Sequence, residues 1–282
     1  MRINGHTEIL PLLGYPIQGV KAPSIYNPYF ASAGINALLV PMGCAPGELP
    51  ALMRSLLALQ NLRGILITMP HKVATVDLLD EASVAVQVAG ACNAVRRRVD
   101  GRVVGDLFDG DGFVRAALRQ GAKLQGNSAL VVGCGGVGCA IAAALAGAGV
   151  ARLALFDARL PQAEALAQRL LTHFPHLDIT IGDKDPLGHG IVVNATPLGM
   201  EPSDPLPLDA NRLQPGTFVG EVVMKTTLTP LLRAARARGC VIQFGTDMLY
   251  EQIPAYLEFF GLPTTDGDRL RNLADEPLER AA

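Results

Sequence analysis

The stretch Ser128-Ala129-Leu130-Val131-Val132-Gly133-Cys134-Gly135-Gly136-Val137-Gly138-Cys139 decides how this chain folds. A run of strand length ends in Gly-x-Gly-x-x-Gly, and a small-residue segment at helical spacing, Val137–Ala148, follows. In that context the first glycine permits the tight turn and the second lets the backbone approach a pyrophosphate. The third lets the helix sit close on the strand. The diphosphate would rest on N–H groups at the positive end of the helix. The next strand, Arg152–Phe156, leads into Asp157, where a carboxylate accepts from both ribose hydroxyls and repels a 2′-phosphate. The reading is therefore a dinucleotide site preferring NAD over NADP. Arg159, two residues on, is a group that would pair with such a phosphate.

Outward from this turn, apolar strand-like runs alternate with helical ones. Before it come strands near Glu8–Leu13, Ile35–Pro41 and Leu62–Thr68, with helices opening near Pro23 and over Glu48–Leu59. A helical region is expected over Val73–Ala89. Ala94–Arg98 and Arg102–Leu107 flank Val99-Asp100-Gly101, a hairpin signal that predicts an antiparallel edge. A second unit begins near Gly112 with a helix over Phe113–Arg119. After Arg152–Phe156 the alternation continues through a helix at Gln162–Phe174 and strands at Asp178–Ile181, Gly190–Asn194, Thr217–Glu221 and Val241–Phe244. Helices are expected at Pro230–Arg238 and Met248–Phe260, and Asp266–Ala282 reads as a last helical turn with a frayed tail. Such alternation predicts an α/β chain whose parallel sheets carry helices on both faces.

The 282 residues suit two domains, and 49% hydrophobic against 18% charged residues excludes a disordered chain. With 24 Lys+Arg and 26 Asp+Glu the net charge is −2, which lacks the basic excess of a nucleic-acid binder. Residues 124–151 carry no charge, yet the central glycines argue for two buried elements and a turn instead of a membrane span. The five scattered cysteines (44, 92, 134, 139 and 240) and the lack of a signal peptide read as reduced thiols in a cytoplasmic protein. No paired metal spacing is present. His173 and His176 find no third ligand nearby, and Cys134 and Cys139 serve close packing.

Lys72 follows a strand end and a Pro-His turn, where open α/β sheets place ligand groups. Asp109 follows the second hairpin strand. A lysine and an aspartate at neighbouring strand ends form a unit that shuttles a proton at a reacting oxygen. His71 orders the turn. Arg96, Arg97 and Arg98 read as a solvated edge that blocks strand-on-strand association.

Several strings, in order, resemble the shikimate dehydrogenase family: Gly14-Tyr15-Pro16-Ile17, Ile67-Thr68-Met69-Pro70-His71-Lys72, Gly90-Ala91-Cys92-Asn93 and the Gly133 fingerprint. Asn194-Ala195-Thr196-Pro197-Leu198-Gly199-Met200, Thr229-Pro230-Leu231-Leu232 and Met248-Leu249 with Gln252 complete the series. The resemblance implies two α/β domains with a cleft between them. A substrate domain (1–110) is completed by 246–282, and a Rossmann domain spans 111–245. It implies reversible oxidation of a ring secondary alcohol, with Lys72 as catalytic lysine, Asp109 as its partner, and Asn93 and Gln252 on ring hydroxyls. It also places Asn194, Thr196, Leu198, Met224 and Gly245 along the cofactor, beside Gly133, Gly135, Gly136, Val137 and Gly138.

The departures concern the substrate. Two serines that bind the substrate carboxylate in the family correspond to Val20 and Ala22. Leu107-Phe108, Ala94, Met224 and Asp247 stand where the family has Asn-Thr, Thr, Tyr and Gly. Losing a donor opposite a buried carboxylate costs about 1–3 kcal/mol, so shikimate is expected to be a poor substrate unless Lys21 or Tyr26 compensates. The expected partner is a small cyclic hydroxy acid or ring alcohol, bound by a monomer or homodimer, with no nucleic acid or membrane. Two alternatives stay open: a dinucleotide-binding regulator without catalysis, and a methylene-tetrahydrofolate dehydrogenase-like enzyme.

Overall fold

The structure is a computed structural model that describes residues 3–201, 203–224 and 228–274. The chain divides into two compact units, 3–108 with 253–274, and 109–252. The return to the first unit falls at Ile253, eight residues along a helix that the sequence places wholly in that unit after 245.

In the first unit, β1 (Glu8–Gly14), α1 (Ala22–Ala33), β2 (Ala37–Gly43), α2 (Leu49–Leu57) and β3 (Ile65–Ile67) alternate as expected. β1 runs parallel to both β2 and β3. Leu10 and Leu13, on opposite faces of β1, are both buried, as are Ile25, Phe30, Leu39 and Met53 in this unit's core. The expected helix over 73–89 is broken. A 3-10 turn (Val76–Leu78) gives way to the two-residue β4 (Glu81–Ala82), and α3 (Val84–Ala89) starts anew. The reason is local chemistry: Val103 N donates to Asp80 Oδ2 at 2.7 Å, and the Ser83 hydroxyl accepts from Val86 N to cap α3. β4 therefore lies outside β6 (Val103–Asp106), and the sheet order is β2-β1-β3-β5-β6-β4, with β5 at Ala94–Arg97. The antiparallel hairpin β5–β6 sits inside the sheet, not at its edge. Polar, helix-like spacing hid the short edge strand.

The second unit opens with α4 (Asp109–Arg119) and holds β7 (Ser128–Val132), α5 (Gly136–Gly147), β8 (Arg152–Phe156), α6 (Leu160–His173) and β9 (Asp178–Ile181). β10 (Ile191–Asn194), β11 (Phe218–Glu221), α7 (Pro230–Ala237) and β12 (Val241–Gln243) follow. All neighbours in its sheet are parallel, in the order β12-β11-β10-β7-β8-β9. β7 and β10 are apolar and buried almost throughout, as central parallel strands are. The order reverses between them, and that switch point is where open α/β sheets take their ligands.

α8 (Gly245–Phe259) continues into the first unit, and α9 (Gly267–Leu273) completes it. α4 begins four residues earlier than its apolar spacing suggests. Asp109 and Asp111 suit the positive end of a helix, and Gly112 stays inside because α8 crosses there. A Cβ on Gly112 would lie 2.6 Å from Met248 O and from Gln252 Cβ. The expected tail beyond 274 lies outside the described residues. Among the described residues no helix is long and apolar enough to cross a membrane.

Candidate active site

At the switch point the glycine turn has the shape its sequence requires. Gly133 has φ +102°, and a Cβ there would lie 2.9 Å from Ala195 O and Thr196 Cγ2. A Cβ on Gly138 would collide with the Gly133 carbonyl. By contrast, Cβ atoms on Gly135 and Gly136 would meet nothing within 4 Å. Gly135 is the N-cap of α5, and no side chain among the described residues bonds to that helix start. The turn is thus an open backbone cradle over an uncapped helix N-terminus with Val137 at its side, which fits a dinucleotide diphosphate.

Asp157 is largely buried. Its Oδ2 accepts from Cys134 N at 2.8 Å and its Oδ1 from Arg159 N at 2.9 Å, so it ties the end of β8 to the glycine turn. The Arg159 side chain is 74% exposed and stands 3.9 Å from that carboxylate.

The segment after β10 folds around Asn194. Asn194 Nδ2 donates to Leu198 O (2.9 Å), and its Oδ1 accepts from Thr196 N (3.1 Å) and from the Thr196 hydroxyl (2.6 Å). Leu198 N donates to Thr196 Oγ1 at 3.1 Å. Both polar side chains expected along the cofactor therefore hold the loop itself. The loop presents its backbone and the Thr196 methyl to Gly133. Gly245 is likewise a close approach, since its Cβ would lie 2.7 Å from Val222 C, whereas Met224 is exposed.

In the first unit, Lys72 is half-buried on the turn after β3. Thr68 O accepts from His71 N (3.0 Å), and the buried His71 ring bonds Cys44 O through Nε2 at 2.8 Å. Lys72 O accepts from Cys92 N at 2.8 Å. Burial pushes the Cys92 thiol up to about 12, with the Lys72 charge working in the opposite direction. Asn93, next in the chain, is buried. Its N donates to Asp106 O (3.0 Å), its O accepts from Ile67 N (2.8 Å), and its Oδ1 accepts from Phe108 N (3.1 Å). Its Nδ2 is buried with no partner among the described residues. An unmet buried donor of this kind costs about 1–3 kcal/mol, which a bound oxygen would recover.

Asp109 follows Phe108 directly and is the buried first residue of α4 in the second unit. Gln252 is held against Gly112 on α8, and its Oε1 is buried with no partner among the described residues. Lys72 and Asn93 are thus joined through Cys92 in one unit, and Asp109 and Gln252 through the α4–α8 crossing in the other. Lys21 and Tyr26 are not brought together. Lys21 is the exposed N-cap of α1, while Tyr26 lies in the core, its ring 5.9 Å from Phe30 and its hydroxyl buried with no partner among the described residues. Burial raises that hydroxyl well above its ordinary range.

Two contributors escaped sequence reasoning. Phe108 positions Asn93 through its backbone N–H, which no side-chain motif announces. Glu221, a lone acid closing an apolar strand, lies opposite Asn194 in the β10–β11 register. Burial pushes its carboxyl up to about 7, against the lowering effect of the Thr229 hydroxyl that donates to Oε2 at 2.8 Å. All five cysteines are buried and unpaired, and among the described residues no cluster of three His, Cys, Asp or Glu stands ready for a metal.

Comparison with known proteins agrees with these strings. A model described as the shikimate dehydrogenase substrate binding domain matches residues 12–95, and one described as the ThiF family matches 113–180. The NADP(+) shikimate dehydrogenase of Rubrobacter xylanophilus is 36% identical, covering 98% of each chain. Among solved structures, shikimate 5-dehydrogenase from Listeria monocytogenes, in complex with shikimate and NAD, has a TM-score of 0.90 at 29% identity, covering 97% of this chain and 98% of that one. Quinate dehydrogenase from Corynebacterium glutamicum, in complex with NAD, has a TM-score of 0.83 at 31% identity over 95% and 98%. With the dinucleotide cradle, the lysine turn and this near-complete coverage, the chain belongs to the shikimate dehydrogenase family of nicotinamide-dependent oxidoreductases that act on a CH–OH group.

Proposed function

We propose that this protein is an NAD-preferring dehydrogenase of a ring secondary alcohol in a shikimate- or quinate-like compound, with shikimate itself a poor substrate. The observation that carries the reading is Asn93, an amide locked by Phe108 N with one buried unmet donor, tied through Cys92 to Lys72. That donor meets a ring hydroxyl, and Gln252 Oε1 accepts from another. Amides that read hydroxyls reject analogues lacking them. Lys72, with Asp109 as its partner carboxylate, takes the proton of the reacting hydroxyl on oxidation and returns it on reduction. When bound, the nicotinamide supplies the hydride acceptor. Gly133, Gly135, Gly136, Val137 and Gly138 hold the diphosphate, the Asn194–Leu198 loop and Met224 line its neighbourhood, and Asp157 reads the ribose.

Support for NAD comes from Asp157, whose fixed carboxylate would face a 2′-phosphate with like charge. Arg159 is the competing group, and the curated relative is named for NADP(+). Support for altered substrate choice comes from Val20 and Ala22, which bring no hydroxyl to a carboxylate, and from Tyr26, whose hydroxyl is turned into the core, which leaves the exposed Lys21 as the candidate group there. Initial rates with shikimate and quinate, each with NAD and NADP, test both statements. The expected result is turnover with NAD and weak use of shikimate. Rapid shikimate turnover with NADP overturns both. Lys72→Ala is expected to keep NAD affinity and lose turnover; unchanged turnover removes the lysine from the chemistry.

A further inference from the structure

The arginines of the β5–β6 hairpin do not guard a sheet edge, because β5 lies between β3 and β6 and β4 is the outer strand. They gather elsewhere. β5 runs antiparallel to β3, with Ile65 opposite Val95 and Leu66 opposite Ala94, so Arg96–Arg98 lie at the end of the sheet where β3 begins. Lys72 lies past the other end. At the Arg end a cavity of about 750 Å³ is lined by Arg63, Arg96, Arg97, Arg98, Leu62 and Phe260, with Asp100 as its acidic residue. An adjoining cavity of about 390 Å³ shares Arg63, Arg97 and Arg98.

The four cations are not equally engaged. Arg98 pairs with Glu81 at 2.9 Å, and Arg63 stands 3.4 Å from Glu8 and donates to Gly261 O. Arg96 and Arg97 have no carboxylate partner among the described residues. The Arg96 guanidinium lies 4.9 Å over the Phe259 ring, and its Nε is buried without a hydrogen-bond partner. Stacking fixes the fork and leaves donors unspent, in a chain whose net charge is −2.

We propose that this groove binds a small organic phosphate, a dianionic monoester on an apolar body, at a site separate from the catalytic residues. Arg97, with Arg63 beside it in both cavities, takes the phosphate by charge-assisted hydrogen bonds, Arg96 stands over Phe259 at the rim, and Leu62 provides the wall for the apolar part. The volume is that of a small-molecule site. The inference does not depend on the substrate assignment above.

Calorimetric titration of the full chain with phenyl phosphate, at constant ionic strength, tests it, with inorganic phosphate and phenol as comparisons. Saturable binding of phenyl phosphate is expected, tighter than either comparison, and weakened at least about tenfold in Arg97→Glu. Arg97 is exposed, so the variant should keep the wild-type circular dichroism and Tm, and Arg97→Ala serves should the charge reversal disturb folding. Three results overturn the proposal: no saturation below about 10 mM, equal affinity in the Arg97 variants, or inorganic phosphate binding as tightly as phenyl phosphate. Sedimentation showing a dimer that Arg97→Glu converts to monomer also overturns it, since a second copy would then fill the groove.

Discussion

Asn93 concentrates the physics of the site in one side chain. Its oxygen is used by the Phe108 N–H, which leaves the orientation of the amide no freedom. Asn93→Ala should therefore strand that N–H in the interior and lower unfolding stability by about 1–3 kcal/mol, read from urea denaturation. A loss within error would mean that water reaches Phe108 N. Glu221 carries a different liability. Its carboxyl has its ordinary value near 4.5 in the unfolded chain and about 7 when folded, so the folded protein holds the proton more tightly. The stability this group contributes is whole below about pH 4.5 and is lost as pH rises through about 7. Glu221→Gln should flatten that slope, gaining on the native protein as pH rises, by up to roughly 3 kcal/mol. Parallel pH-stability curves for the two proteins would remove Glu221 as the cause.

At the scale of elements, two close approaches set where the functional groups stand. Gly138 brings α5 onto the turn after β7, and a methyl there meets the Gly133 backbone, which no rotamer change relieves. Gly138→Ala should cost about 1–3 kcal/mol or more and weaken NAD binding, both measurable by thermal shift with and without ligand. Gly112 does the same for α4 and α8. Gly112→Ala should push the Gln252 backbone away, raising substrate KM while NAD affinity stays unchanged. A parallel loss of both would place the damage in the Rossmann sheet instead. Most strands and helices were legible beforehand because parallel strands are apolar throughout and helices carry the 3.6-residue period. The segment 73–89 was not. Its alternation of Asp, Ser and Val satisfies helical spacing, and only pairing with β6 made a strand of Glu81-Ala82.

For the molecule as a whole, the two units have separate sheets. NAD at 100 times its Kd should add about 2.7 kcal/mol to the state that binds it. In hydrogen exchange this should appear as slowed amides in β7 and β10, with β1 and β3 unchanged. Equal protection in both sheets would show that the units unfold together.

The sequence by itself determined the alternation of strands and helices, the dinucleotide turn and the lysine turn. Each of these is written in residues close together in the chain, where backbone sterics and hydrophobic period act directly. The tertiary structure alone decided that Asn93 and Gln252 each keep one buried polar atom unspent. It also decided that Tyr26 faces the core, and that arginines read as an edge guard line a groove. Hydrogen-bond saturation and burial depend on what long-range packing brings alongside a residue. Neighbours in sequence do not specify them.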